Sequence, residues 1–145
     1  MSAIPAMVST AGAILAGWVD ARTGRIPNVI SRGTAIAALA VAAHTGEATT
    51  ALWGVVLAGG AIFALYALTL GTGIGLGDVK LAAAIGAGCG IQAAAVALGS
   101  AFILGGAYGA WLMVTRGARR TDAIRFGPFM AAGTIIAAAA AIVLR

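Results

Sequence analysis

Acidic side chains are nearly missing from this chain. Asp20, Glu47, Asp78 and Asp122 are the only four in 145 residues. Cysteine and histidine occur once each, as Cys89 and His44. A lone cysteine excludes an internal disulfide, and one cysteine with one histidine is too small a ligand set for zinc. No serine–histidine or cysteine–histidine arrangement offers itself for nucleophilic catalysis. Charged residues make up 9%, where a soluble domain carries about 25%. So little polar surface excludes a globule in water. A net charge of +5 would suggest nucleic acid for a soluble protein. Here the basic residues flank apolar runs, where they orient a membrane protein, and no nucleic-acid partner is expected. No metal or cofactor is expected either.

What the chain does have is apolar length: 61% hydrophobic residues and a mean hydropathy of +1.04. The expected partner is the lipid bilayer, and the length fits one domain over residues 1–145. A spanning helix needs about 20 apolar residues. Candidate spans run from about Ala3 to Val19, Val29 to Ala43, Ala51 to Leu70, Val79 to a break in Gly86–Gly90, Ile91 to Val114, and Pro128 to Leu144. The fourth is short. The first has no basic residues ahead of it, so it reads as a retained span and not a cleaved signal. The fold class is therefore an all-α, six-helix transmembrane bundle. Arg22, Arg25, Arg32, Lys80, Arg116, Arg119, Arg120 and Arg125 then share one side, and His44, Glu47 and Arg145 the other. Lysine and arginine mark the cytoplasmic side, so both termini are expected to be non-cytoplasmic. Gly86 with Gly90, and Gly105 with Gly109, have the GxxxG spacing that lets helices approach closely in lipid. Trp18, Trp53 and Trp111 fall near span ends, where such rings anchor at the interface.

Two of the four acids interrupt the apolar pattern at the same depth. Asp20 closes the first span. Asp78 ends a loop in which Gly71, Gly73, Gly75 and Gly77 alternate, and it opens the fourth span. Either acid alone reads as an interfacial charge beside an arginine. Together they suggest chemistry. Two carboxylates within about 3 Å cannot both ionise easily, so the pair holds one proton near neutral pH. The ionised member takes a proton from water and the protonated member donates to a carbonyl oxygen. That is aspartic protease chemistry, and it needs no covalent intermediate. Glu47 and His44 read as solvated turn residues, and Asp122 as a counter-charge among arginines.

Three motifs in order carry a family resemblance. They are Asp20 with Arg25-Ile26-Pro27-Asn28, Gly75-Leu76-Gly77-Asp78-Val79-Lys80, and Phe126-Gly127-Pro128-Phe129. The chain resembles the type IV prepilin peptidases, the GxGD-type intramembrane aspartyl proteases. The resemblance implies that Asp20 and Asp78 are the catalytic pair. It implies that Gly75, Gly77, Lys80, Pro27, Asn28 and Pro128 shape the site or bind substrate. The implied client is a pilin-like precursor, whose short basic leader is cut at the cytoplasmic face after a glycine. Larger members carry a cytoplasmic segment with zinc-binding cysteine pairs and also N-methylate the new terminus. The loop after the first span here is brief and cysteine-free, so no methyltransferase or zinc-binding domain is expected. The chain looks like the short members that serve Flp/Tad-type pili or archaeal flagellins. Other readings are a GxGD protease with a different membrane client, a small proton-coupled transporter, and a purely structural membrane subunit. Transporter carboxylates usually sit near the bilayer midplane, whereas these two fall at its edge.

Overall fold

A computed structural model describes residues 3–71, 73–116 and 124–143, all in helices and short connections with no strand among them. The expectations for Arg119, Arg120, Asp122 and Arg145 lie outside the described residues. Helix α1 spans Ala3–Thr23, α2 Asn28–His44, α3 Ala48–Leu68, α4 Leu76–Arg116 and α5 Gly127–Val143. Of these, α1, α3 and α4 are long and apolar enough to cross a membrane, and α5 is apolar but shorter. Residues Val55–Gly59 of α3 form a π-helical stretch.

Helix α4 is not one rod. At Gly90 the backbone adopts φ 70° and ψ 179°, a region open essentially to glycine alone. The contacts on either side show that the chain reverses there. Ser9 Oγ on α1 donates to the Ala84 carbonyl at 2.6 Å, and Gly88 leaves room for Ser9 and the Pro5 carbonyl. Farther along, Gly133 of α5 lies against the Ala97 carbonyl, Gly105 against Phe126 and Phe129, and Gly109 against Ile124. The limb 76–89 therefore runs one way, beside α1, and the limb 91–116 returns beside α5. At 1.5 Å per residue the first limb is only about 20 Å long. Gly90 thus serves as a turn, so Gly86 and Gly90 do not form one packing face as their spacing suggested. Placing a Cβ at this turn, as in Gly90→Ala, should destabilise the fold by about 1–3 kcal/mol. A thermal melt in detergent would measure it, and an unchanged midpoint would contradict the turn.

The packing is inverted relative to a soluble protein. Small residues fill the interior, among them Ala13, Ala16, Ala82, Ala94, Ala97 and Ser9. Large apolar residues point outward, including Ile36, Leu68, Ile103 and Val143. Small side chains let helix backbones meet closely in lipid, where the solvent is as apolar as leucine. An outward apolar surface of this extent belongs against acyl chains. The protein is an integral membrane protein.

Two helix boundaries fix where the acids sit. Helix α1 does not stop at Asp20 but runs to Thr23 and closes at Gly24, whose N–H bonds the Asp20 carbonyl at 2.8 Å. Gly24 has φ 69°, the left-handed value of a C-terminal glycine cap. Asp20 is thus held on the last turn of a regular helix. Helix α3 ends three residues earlier than the glycine loop begins, and Leu70 (φ 48°) and Gly71 (φ 73°) turn the chain toward Asp78.

Candidate active site

Asp20 and Asp78 line one cavity of about 540 Å³ at the end of the bundle where α1 finishes and α4 begins. Three stretches of chain make its wall: Asp20 with 24–26, residues 71, 73–75 and 77–78 of the glycine loop, and 124–126.

Each carboxylate is oriented by a glycine N–H at the start of a helix. Asp78 is the third residue of α4, and its Oδ2 accepts from the N–H of Gly75 at 3.0 Å. This is the returning half of a capping box, in which a third-position acid satisfies the donor that the helix start leaves free. The same glycine carbonyl accepts from the Asp78 N–H at 3.1 Å. Asp20 is 5% exposed, and its Oδ2 accepts from the N–H of Gly127, the first residue of α5, at 3.1 Å. Both donors lie at the positive end of a helix dipole, where a carboxylate is well placed.

Gly75 and Gly77 both line the cavity. A Cβ on Gly77 would stand 3.2 Å from the Ile26 Cβ, so the absence of a side chain lets the 24–28 turn close against the start of α4. Lys80, Pro27 and Asn28 do not line the cavity. Lys80 Nζ donates to Asn28 Oδ1 at 2.6 Å, tying α4 to the first turn of α2. Pro27 stands just before α2, and its carbonyl accepts from Ile30 at 3.1 Å. Pro128 lines a neighbouring cavity of about 470 Å³ with Tyr108, Leu112 and Phe129.

Three further residues belong to this geometry: Arg25 and Gly127, which the sequence motifs contain but to which the sequence gives no role, and Arg125. Arg25 sorts among the orienting charges, yet it lines the acids' cavity. Arg125 lines both cavities and donates through Nη1 to the Ala21 carbonyl on the last turn of α1. Gly127 supplies the donor to Asp20. A signal for Gly127 did exist: a glycine directly ahead of a helix-start proline. Among the described residues, no three of His, Cys, Asp and Glu come together as a metal-binding group would.

A model of the type IV leader peptidase family matches residues 7–110. The chain belongs to the type IV leader peptidase family. No curated protein and no solved structure matches it closely. The matched stretch holds Asp20, Asp78, Gly75, Gly77 and the Lys80–Asn28 bond, and it ends before Gly127. Membership makes the protein a protease of the leader-peptidase kind, with prepilin-like substrates.

In this peptidase the Lys80–Asn28 bond joins α4 to the first turn of α2. A charged, exposed hydrogen bond of this kind contributes on the order of 1 kcal/mol. Lys80→Met and Asn28→Ala should each lower kcat/KM by roughly fivefold, and the double variant by no more than either, since both remove the same bond. Additive losses in that cycle would mean the two residues act separately.

Proposed function

We propose that the peptidase is an intramembrane aspartic endopeptidase that removes the short basic leader from type IV pilin-like precursors. The observation that carries the proposal is the meeting of Asp20 and Asp78, far apart in sequence, in one cavity at one end of the bundle. A water held between the carboxyl groups loses a proton to one of them and attacks the scissile carbonyl carbon. The other carboxyl donates its proton to the carbonyl oxygen. Collapse of the tetrahedral intermediate breaks the C–N bond as the carboxyl that took the water's proton gives it to the amine nitrogen, while the other carboxylate takes a proton back from a hydroxyl of the intermediate, so the pair again holds one proton. The proton belongs to the pair, and acid and base are not assigned to one residue each.

Six helical limbs cross the bilayer in this reading, with the α4 limbs counted separately. The site end faces the cytoplasm, because Arg22, Arg25, Arg32, Lys80, Arg116 and Arg125 gather toward it. Both termini then lie on the far side. The client's own apolar helix lies in the membrane beside the enzyme and presents its leader junction at the cavity. Gly75 and Gly77 shape that cavity, and Lys80, Asn28, Pro27 and Pro128 support it. Purified protein incubated with pilin-like precursors from the same genome tests the proposal. Release of the leader supports it. Absence of cleavage across the whole set, with the protein folded, would overturn it.

A further inference from the structure

We infer that Gly127 is a positioning residue for the hydrolysis: it holds the Asp20 carboxylate by one backbone hydrogen bond, in a place where no side chain fits. The inference rests on Asp20 being a member of the reacting pair. A Cβ built on Gly127 would stand 2.8 Å from Asp20 Oδ2, 2.9 Å from its Cβ and 3.1 Å from its Cγ. Real Cβ atoms do not approach so closely, so any larger residue must push the carboxylate aside. The fit is as tight from the opposite direction. Gly17, one turn before Asp20 on α1, faces the Gly127 carbonyl oxygen, which a Cβ there would meet at 2.9 Å. Two glycines thus lay the start of α5 directly on α1.

The bond to Asp20 is also singular. Pro128 has no N–H to offer. The N–H groups of Phe129 and Met130 are both taken by the Phe126 carbonyl, at 3.1 Å each. Gly127 therefore carries the donor of this helix start that is left for the acid. Arg125 pins the turn from outside the glycine contact, through its bond to the Ala21 carbonyl. The Phe126 ring packs on Phe102 with centroids 4.9 Å apart, anchoring the same turn to the second limb of α4.

The test uses the full-length protein in detergent with a pilin-like precursor as substrate. It also uses the infrared carboxyl band of Asp20, identified by its loss in Asp20→Asn. Gly127→Ala should lower kcat by about tenfold or more while KM stays within about twofold, since misplacing a reacting group by a fraction of an ångström is enough. The Asp20 band should shift in the same variant. Arg125→Gln should show a smaller loss in kcat, which Arg125→Lys, still able to donate to the Ala21 carbonyl, should partly restore. An unmoved band, or a kcat equal to wild type, overturns the inference. If Gly127→Ala does not fold, Arg125→Gln with undiminished kcat overturns it. If the wild-type protein cleaves no precursor, the peptidase reading falls, and the band in Gly127→Ala still decides whether Gly127 positions Asp20.

Discussion

Asp20→Asn and Asp78→Asn should each lower cleavage of a pilin-like precursor by on the order of 10³-fold, the range supplied by positioned acid–base groups. Asparagine keeps the shape of aspartate. Its amide oxygen still accepts the Gly127 N–H at position 20 and the Gly75 N–H at position 78, the two bonds that orient the native carboxyls. What it lacks is a titrating proton. The folded protein should therefore be recovered in full, with its activity gone. The double variant should be no worse than either single one, because a pair that shares one proton fails as a unit. Time courses of leader release, with circular dichroism on the same samples, separate lost chemistry from lost structure. Normal cleavage by either single variant would remove that residue from the reaction, and the shared-proton mechanism with it.

The largest loss of stability should follow Gly54→Ala or Gly86→Ala. These glycines face each other where α3 crosses the first limb of α4. A Cβ on Gly54 would overlap the Gly86 carbonyl oxygen, and a Cβ on Gly86 would overlap that of Gly54. The obstacle on both sides is backbone, which cannot rotate away as a side chain can. The helices must separate, and the Gly59–Ala83 contact one turn along must open with them. Overpacking of a tight core costs about 1–3 kcal/mol and sometimes more; with backbone as the obstacle, a loss at or above about 3 kcal/mol is expected for each variant. Gly60→Ala and Gly99→Ala are the controls. Both positions are open space, and alanine in an exposed helix interior should stabilise by about 0.5–1 kcal/mol. Melts of all four variants in one detergent make the comparison. Equal midpoints across them would show that the α3–α4 crossing is not held by close backbone contact. Activity should fall along with stability at Gly54 and Gly86, since α3 delivers the loop that carries Asp78 into the cavity.

The helices themselves were largely legible from composition. Apolar runs bounded by Pro27, by the His44–Thr50 connection and by the glycine loop placed the helix ends within a few residues, because lipid forces each backbone donor to be satisfied within its own helix. The reversal near Gly90 was legible for a related reason. A glycine-rich stretch offers the positive φ that a turn without a loop requires. The ends themselves were less legible. Asp20 looked like a stop, but a helix does not end at its first charge. It ends where a cap is available, and here that cap is Gly24.

Scarcity also made the acids legible. In an apolar chain with four carboxylates, two at matching depth draw notice by sequence position alone. The residues that orient them were harder to see. Arg125 looked like one orienting charge among many, because its bond to Ala21 joins positions with no pattern between them in the chain. Gly127 stands in the third motif, but nothing in the sequence gives it a role there. Its meaning depends on Gly17 approaching from another helix, and a glycine's lack of a side chain says nothing about what fills the space.

From the sequence alone come the all-helical class, the lipid environment, the turn near Gly90 and the two acids as candidates. Those follow from hydrophobicity, backbone sterics and the rarity of charge, which act over neighbouring residues. Tertiary packing alone decides that both carboxyl groups open into one cavity, that each is held by a glycine N–H at a helix start, and that Pro128 belongs to the adjoining cavity. Such facts depend on how closely two helices approach, and that distance is set by the small residues of both partners at once.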